Sequence, residues 1–269
     1  MQASAAPEVR LWRGLSLRAR RTMVSLMGIG AVLGFWVLIW DKTDFLPSPS
    51  STWEVGIELL GEGGTYGDLF DTARRLFMGL GIGYISAFGV ALIMRQSKWW
   101  KTFFAPHVFV LISMPGLALA LICLMVFGLS EIGVYLAVGG VVFPFVVVSL
   151  QEGFDNLDAK LSDMAKVYRF STWARIRHQA IPEMAPYLFA AFRNVHALAW
   201  KIVVIAELFS QQSGIGFQYK RSYGFFEFNR LLVWAFFFIT MVMIVEYGLL
   251  RPFEAAVFRW RSRRPVSRT

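Results

Sequence analysis

Apolar residues are arranged along this chain in long blocks that are separated by polar stretches. Four blocks contain no Asp, Glu, Lys or Arg, and they lie at residues 22–40, 76–94, 102–130 and 132–151. A helix needs about 20 consecutive apolar residues to cross the hydrocarbon core of a bilayer. Two further blocks, residues 184–209 and 231–250, are apolar but carry a few charges. The pattern predicts an all-α integral membrane protein with six transmembrane helices.

One polar stretch is far longer than the others and separates the fourth predicted span from the fifth. Residues 151–185 read QEGFDNLDAKLSDMAKVYRFSTWARIRHQAIPEMA. A polar segment of this length between membrane helices is expected to form a surface that a soluble partner contacts. We refer to residues 151–185 as the polar segment.

The polar segment has the pattern of two short helices. Asp158 is a suitable N-cap for the first, in which Leu161, Met164, Ala165 and Tyr168 share one face. Asp163 and Lys166 are three residues apart and are expected to form an ion pair. Ser171 is predicted to begin the second helix and Pro182 to end it, because proline cannot continue the backbone hydrogen-bond ladder. Pro186 then opens the fifth span.

The composition and the distribution of charge agree with a membrane protein. The chain is 56% hydrophobic and 17% charged, whereas soluble domains are typically about 25% charged. A net charge of +9 would suggest nucleic acid binding in a soluble protein. Here the basic residues cluster at the ends of the spans, so we expect no nucleic acid partner. Seven acidic residues and one Lys occupy residues 41–71, which predicts that this loop is outside and both termini are cytoplasmic.

The predicted organisation is one transmembrane domain with two tails. A basic cytoplasmic tail is expected at residues 1–21, the membrane domain at residues 22–260 and a second basic tail at residues 261–269. Residues 52–71 are expected to form one or two short helices outside the membrane, broken at residues 61–64.

Glycines and prolines within the spans predict close packing and a break. Gly79 and Gly83 have the small-xxx-small spacing that lets two helices approach closely. Pro106 and Pro115 lie in the third span. Pro115 predicts either a broken helix that lines a translocation path or a simple packing kink.

The fifth span carries ionisable residues, which are costly inside a bilayer and usually face a bundle interior or a wet cavity. Arg193, His196, Trp200 and Glu207 fall on one face by helical spacing, and Lys201 is the deepest charge. These five residues and Pro115 are the residues expected to line a translocation path. Lys201 either lines the path or forms a structural ion pair with a neighbouring helix or subunit. His196 is more often a packing residue than a ligand.

The sequence lacks the residues of a metal site and of a nucleotide site. Cys123 is the only cysteine and the chain has three His, so neither a disulfide within the chain nor a metal site is expected. No lysine follows a glycine, which excludes a phosphate-binding Gly-x-x-x-x-Gly-Lys loop in this chain. We therefore expect no ATP hydrolysis and no cofactor here.

The string DMAKVYRFSTWARIRHQAIPEMAPYL, residues 163–188, resembles the cytoplasmic coupling motif of importer-type ABC transporter permeases. Asp163 takes the acidic position of that motif, Met164 and Ala165 take the two alanine positions, and Pro182 takes the closing proline position. Arg169 stands where the family has glycine, so it either loosens the turn or adopts the conformation of a glycine. Contact with an ATPase is what the resemblance implies for Asp163, Met164, Ala165, Tyr168, Arg169 and Pro182.

Three other segments resemble permeases for nitrate, sulfonate and taurine in the same order. They are LPSPSSTW at residues 46–53, SMPGLALALICLMVFGLSE at residues 113–131 and AELFSQQSGIGF at residues 206–217. The resemblance implies a multi-pass protein of the bacterial inner membrane that forms the path for a small, anionic solute. It also implies partners: separate cytoplasmic ATPase subunits that bind ATP and Mg²⁺, a second permease chain in a homodimer, and an extracytoplasmic solute-binding protein.

Two other function classes compete with an importer subunit. An ion-coupled secondary transporter would use Lys201 and Glu207 as coupling charges, and it predicts inverted repeats that the sequence does not display. An integral membrane enzyme needs clustered His, Cys or acidic residues near one face, and the sequence offers no such cluster.

Overall fold

The computed structural model describes residues 17–42 and 46–257, and the regular structure within these ranges is helical. The helices, numbered here in chain order, are α1 (Leu17–Trp40), α2 (Pro49–Gly61), α3 (Gly63–Gln96), α4 (Lys98–Ser113), α5 (Gly116–Phe127), α6 (Glu131–Asp155), α7 (Ala159–Val167), α8 (Thr172–Arg175), α9 (Ile181–Ser210), α10 (Ile215–Gly224), α11 (Phe228–Met243) and α12 (Arg251–Val257). Two π-helical turns, π1 (Ile176–Ala180) and π2 (Ile244–Leu250), join α8 to α9 and α11 to α12. Most of the expected N-terminal tail, residues 1–21, and all of the C-terminal tail, residues 261–269, lie outside the described residues.

Helix length and composition confirm a multi-pass membrane architecture. Within the described residues, five helical stretches are long and apolar enough to cross a membrane, and α4 with α5 makes a sixth if this bent pair is one span. The two halves of that pair meet at an angle of 107°. The break falls at Met114 and Pro115, immediately before α5, because Pro115 cannot continue the ladder of α4.

The centre of the bundle is the contact between α3 and α6, which α9 joins from a third side. A Cβ atom on Gly79 would lie 2.5 Å from the Cβ of Val138, and one on Gly83 would lie 2.9 Å from the carbonyl oxygen of Gly139. The predicted close approach at Gly79 and Gly83 is therefore confirmed, because only a missing side chain leaves room for the facing helix.

The segment before the second span is simpler than the sequence suggested. One short helix, α2, ends at Gly61, and α3 begins at Gly63 after a break at Glu62. From there α3 continues without interruption through the apolar block. Of the one or two short helices expected within residues 52–71, the structure has one, and residues 63–71 are the first turns of α3 after the expected break.

The helix ends define two ends of the molecule, which we call the polar-segment end and the outer end, the latter after the orientation that the charge distribution predicts. Contacts among the start of α3, the start of α6 and the end of α9 define the outer end, where Arg75 binds Glu131 and Glu207. The opposite end holds the last turns of α3 and α6 and the polar segment. There Lys101 of α4 forms an ion pair with Asp155 of α6 at 2.8 Å.

Candidate functional site

The first helix of the polar segment begins as the sequence predicts. The side chain of Asp158 accepts a hydrogen bond from the Lys160 N–H at 2.8 Å and caps α7. Asp163 and Lys166 form the predicted ion pair, with Lys166 Nζ 2.9 Å from Asp163 Oδ1. Both side chains of that pair are exposed, so it contributes little to stability.

Arg169 adopts the backbone conformation that glycine normally takes. Its φ is 53°, in the left-handed region. The Arg169 N–H donates to the Lys166 carbonyl and the Phe170 N–H donates to the Ala165 carbonyl, at 3.0 and 2.9 Å. These are the two hydrogen bonds of a Schellman motif, with Arg169 at the position where glycine is preferred. The sequence left two alternatives, a looser turn or a glycine-like Arg169, and the second holds. The turn keeps its geometry, and the backbone of Arg169 is strained.

Ala165 lies inside the polar segment and not on its surface. It is 3% exposed, so its small side chain lets the segment pack on itself. Large apolar side chains are instead exposed on α7, α8 and the turn between them. We call this set the exposed apolar surface, and it consists of Leu161, Met164, Val167, Tyr168, Phe170 and Trp173.

The expectation that Pro182 ends a separate second helix is wrong. Ser171 does begin a helix, because its side chain accepts a hydrogen bond from the Ala174 N–H. The helix then continues through π1 into α9, so that residues 172–210 form one stretch. Pro182 is tolerated because it lies in the first turn of α9, directly after π1 ends with a hydrogen bond from the Ile181 N–H to the Ile176 carbonyl. The hydrogen bond of π1 spans five residues and shifts the backbone pattern, and such a turn accommodates a residue that has no N–H. Pro186 likewise lies inside α9 and does not open it.

The start of α7 is tied to this continuous helix by both backbone groups of Asp158. The Asp158 N–H donates to Glu183 Oε2 at 2.9 Å. The Asp158 carbonyl accepts a hydrogen bond from Gln179 Nε2 at 3.3 Å. These two hydrogen bonds connect the start of α7 to π1 and to the first turn of α9.

The predicted polar face of α9 divides into buried and exposed residues. His196, Trp200 and Glu207 are buried within the chain, whereas Arg193 and Lys201 are exposed. Trp200 Nε1 donates to His196 Nε2 at 2.8 Å, and the Trp200 ring also contacts Phe238. His196 is a packing residue in this environment, because the nitrogen facing Trp200 is occupied.

Lys201 has no ion-pair partner among residues 17–42 and 46–257. Its side chain projects from the outside of this single chain. An ion pair of Lys201 with a neighbouring helix of the same chain is therefore absent from the described residues. An ion pair with a neighbouring subunit, which belongs to the same sequence alternative, stays a prediction. Pro115 is also exposed, at the break between α4 and α5.

A buried ionic network at the outer end was missed by the sequence analysis. Arg75 Nη1 donates to Glu207 Oε1 at 2.8 Å and to the Ser213 carbonyl at 2.7 Å. Arg75 Nη2 donates to Glu131 Oε1 at 2.6 Å and to Ser213 Oγ at 2.9 Å, and Nε donates to Glu131 Oε2 at 3.1 Å. All five N–H groups of the guanidinium therefore have partners.

The same end of α3 fixes the chain that follows α9. Residues 68, 71, 72 and 75 share one helical face by their spacing. Asp68 accepts a hydrogen bond from the Gly214 N–H at 2.7 Å, and Thr72 Oγ1 accepts one from the Ile215 N–H at 2.9 Å. Gly214 has a φ of +98°, and a Cβ atom there would lie 2.5 Å from Glu207 Oε1. Their helical spacing directly before an apolar block was the feature of the sequence that could have indicated a shared binding face.

Apolar contacts hold helix α10 at the outer end. Among the described residues, Tyr219 packs against the main hydrophobic core, which includes Val203, and against a smaller cluster of Leu59, Ile215, Val233 and Trp234. Burial raises the pKa of Tyr219 to about 12, because the charged phenolate would lose its hydration. In the described part of the chain, no three His, Cys, Asp or Glu side chains come together as metal ligands.

Comparison with known proteins gives one family and several relatives. The sequence profile of the family described as "Binding-protein-dependent transport system inner membrane component" matches residues 79–250. The chain is 24% identical to the putative aliphatic sulfonates transport permease protein SsuC of Bacillus subtilis, over 89% of this chain and 88% of that protein. It is 27% identical to the nitrate import permease protein NrtB of Synechococcus elongatus, over 70% of this chain and 68% of that protein.

Solved structures share the fold of this chain at low sequence identity. An inward-facing structure of the MetNI methionine ABC transporter aligns with a TM-score of 0.57 and 15% identity, over 71% of this chain and 95% of that chain. A structure described as an amino acid ABC transporter with histidines aligns with a TM-score of 0.54 and 19% identity, over 71% of this chain and 92% of that chain.

Proposed function

The chain belongs to the family of binding-protein-dependent transport system inner membrane components, and from this premise we propose that it couples the transport of a small anionic solute to a separate ATPase. Membership makes it an ABC transporter permease and a multi-pass membrane protein. ATP and Mg²⁺ would bind to the partner ATPase, because this chain has no phosphate-binding loop.

The observation that carries the proposal is the exposed apolar surface of the polar segment. Val167 is 79% exposed and Trp173 is 66% exposed. A group of large apolar side chains on the most polar part of a chain is typical of a protein interface. Asp163, Met164, Tyr168 and Arg169 lie within or beside this surface, and all four are exposed. Ala165 and Pro182 would support the geometry of the segment and not touch the partner.

The mechanism follows from the connection between this surface and the membrane. Closure of the ATPase pair would move α7 and α8. Because α8, π1 and α9 form one helical stretch, and because Asp158 is bound to Glu183, α9 would move with them. The ATP-bound partner thereby biases the bundle between inward and outward opening.

We further propose a homodimer, a cytoplasmic polar segment and an extracytoplasmic binding protein at the outer end. The basic residues at the polar-segment end support this orientation, as do the acidic residues of the loop before α3. Exposed residues on α9 and the break at Pro115 would line the path between two copies. In this arrangement Arg193 and Lys201 face the solute, while His196, Trp200 and Glu207 hold α9 in place from within.

The solute class rests on relatives and on charge. The named relatives are permeases for aliphatic sulfonates and nitrate, which are small anions. The exposed cations Arg193 and Lys201 suit the passage of such a solute.

The first test is transport by the assembled complex. Co-expression with the neighbouring genes should yield a stoichiometric ATPase on purification in mild detergent. Proteoliposomes that contain the complex and its binding protein should accumulate a sulfonate or nitrate only when ATP is present. Uptake that follows an ion gradient without ATP would instead identify an ion-coupled secondary transporter.

The second test addresses the exposed apolar surface. Trp173→Glu places a charge in the proposed interface and should reduce ATPase co-purification at least tenfold, because an uncompensated buried charge costs several kcal/mol. The matched control is Tyr223→Glu, which changes an aromatic residue of similar exposure on α10, at the outer end. ATPase recovery that is equal for the two variants would contradict the proposed coupling surface.

A further inference from the structure

A cavity of about 760 Å³ lies between the polar-segment end of α3 and the helical turns that lead into α9. Its size falls within the range of about 300–1,000 Å³ that is typical of ligand cavities. Phe88 and Leu92 of α3 form one wall, and Ile181 and Leu188 of α9 form another. Arg95 and Arg175 lie at the polar margin.

The charged residues that line this cavity are of one sign. Its lining includes two arginines and neither Asp nor Glu. A second, larger cavity beside Arg193 differs in this respect, because Glu246 and Glu254 line it together with Arg193 and Arg251. Of these two cavities, only the first is lined by positive charge alone, which suits an anionic ligand.

Neither arginine of the first cavity is paired within the described residues. Arg175 Nε is buried and has no hydrogen-bond partner there, which is costly for a donor of this strength. The Arg95 guanidinium stacks on the ring of Phe154 at 4.6 Å. Stacking uses the face of the guanidinium and leaves its N–H groups free to bind a phosphate.

The apolar wall of the cavity continues onto the outside of the bundle. Phe88 and Leu92 are exposed in the last turns of α3, which is a candidate membrane span. An occupant with an anionic head and apolar chains would thus place its head between the arginines and its chains along α3. Basic pockets between transmembrane helices bind the head groups of anionic lipids in this way.

We propose that this cavity binds an anionic phospholipid from the leaflet next to the polar segment. The phosphate is held by Arg95 and Arg175, and the first part of the acyl chains packs against Phe88, Leu92 and Leu188. Because Arg175 precedes π1, the bound lipid links the membrane to the turn that joins the polar segment to α9. The inference goes beyond the permease function and rests on the membrane placement of α3.

The experiment is lipid binding to the purified full-length protein in detergent, followed by native mass spectrometry. Phosphatidylglycerol should form a discrete 1:1 adduct, and phosphatidylcholine should bind at least tenfold more weakly. Arg95→Gln and Arg175→Gln should each weaken phosphatidylglycerol binding about fivefold. The double variant should lose about 25-fold if the two effects are independent.

Lys160→Gln is the matched control, because Lys160 is an exposed cation of α7 and does not line the cavity. It should bind phosphatidylglycerol as the wild type does. If an arginine variant fails to fold, Leu188→Trp provides a second route, since it fills the apolar part of the cavity and should also displace the lipid. Equal binding of the two lipids, or wild-type binding by the double variant, overturns the proposal. Displacement of the lipid by millimolar inorganic phosphate also overturns it and indicates a small-anion site.

Discussion

Arg75 is the residue whose environment differs most from its appearance in the sequence. It stands at the edge of an apolar block, where a surface arginine would be expected, yet its side chain is 1% exposed and bound to Glu131 and Glu207. A buried ion pair gains little over an apolar pair because both ions lose hydration. Removing one partner is costly, however, because the other is left buried and charged.

The first residue-scale prediction therefore concerns Arg75. Arg75→Met should lower the free energy of unfolding by about 3–5 kcal/mol, because it leaves the Glu207 carboxylate unpaired. Adding Glu207→Gln to this variant should recover part of that loss, because the remaining amide carries no charge. Unfolding of the purified protein in detergent, followed by circular dichroism, gives both values.

The neighbouring residue provides the control for that measurement. Arg74 also pairs with Glu131, but its side chain is 38% exposed. Arg74→Met should cost less than about 1 kcal/mol, as is typical of exposed pairs. If Arg75→Met and Arg74→Met have the same cost, the Arg75 network does not stabilise the fold in the way described.

At the scale of the element, the turn after α7 combines regular hydrogen bonding with a strained residue. Both hydrogen bonds of the Schellman motif are present, although the left-handed position is occupied by Arg169. For a residue with a Cβ atom this conformation costs roughly 1–2 kcal/mol. The surrounding polar segment holds the turn in this conformation despite the strain. Strained residues of this kind often lie at functional sites.

The element-scale prediction is that glycine stabilises this turn. Arg169→Gly should slow hydrogen exchange of the α7 amides about fivefold, which corresponds to about 1 kcal/mol of local stability. Arg169→Val should accelerate it, because a β-branched side chain tolerates positive φ poorly. Mass spectrometry of exchange in residues 159–170 measures both changes.

A second glycine substitution tests whether the effect depends on position. Lys166→Gly lies inside α7, where glycine lowers helix stability by about 1 kcal/mol relative to alanine. It should therefore accelerate exchange. Faster exchange in Arg169→Gly as well would show that Arg169 does not carry backbone strain.

At the scale of the whole molecule, the two ends differ in charge and in construction. Acidic and hydroxyl groups of α3 bind the chain after α9 at the outer end, whereas Arg95 and Arg175 line a cavity without Asp or Glu at the polar-segment end. We therefore expect the polar-segment end to be cytoplasmic, because basic loops are retained on that side of a membrane.

The whole-molecule prediction is the orientation itself. In a Cys123→Ser background, a cysteine at Tyr223 should react with a membrane-impermeant maleimide in intact cells. A cysteine at Val167 should react only after the membrane is permeabilised. Both native side chains are exposed, so access is not limited by the fold. Labelling of Val167→Cys in intact cells would reverse the proposed orientation.

Much of the architecture could be predicted from the sequence, because a helix that crosses a bilayer requires a long run of apolar, uncharged residues. The long uncharged blocks predicted the membrane helices, and Gly79 and Gly83 predicted a close helix contact. Asp158 and Ser171 predicted helix starts, because capping depends on a few neighbouring residues. The prediction that Pro182 ends a helix was wrong, because the effect of a proline depends on whether it falls inside a regular helix or directly after a π-helical turn such as π1.

The sequence by itself determined the membrane class, the helix content and the position of the polar segment, because these depend on local composition and short-range spacing. The tertiary structure alone decided that Arg75 is buried between Glu131 and Glu207 and that Arg175 faces a cavity. These outcomes join residues that are far apart in the chain, and the sequence gives no measure of which distant groups share a low-dielectric environment. The continuity of α9 with the polar segment likewise depends on π1, because the helix continues through this wider turn and past Pro182 without a break.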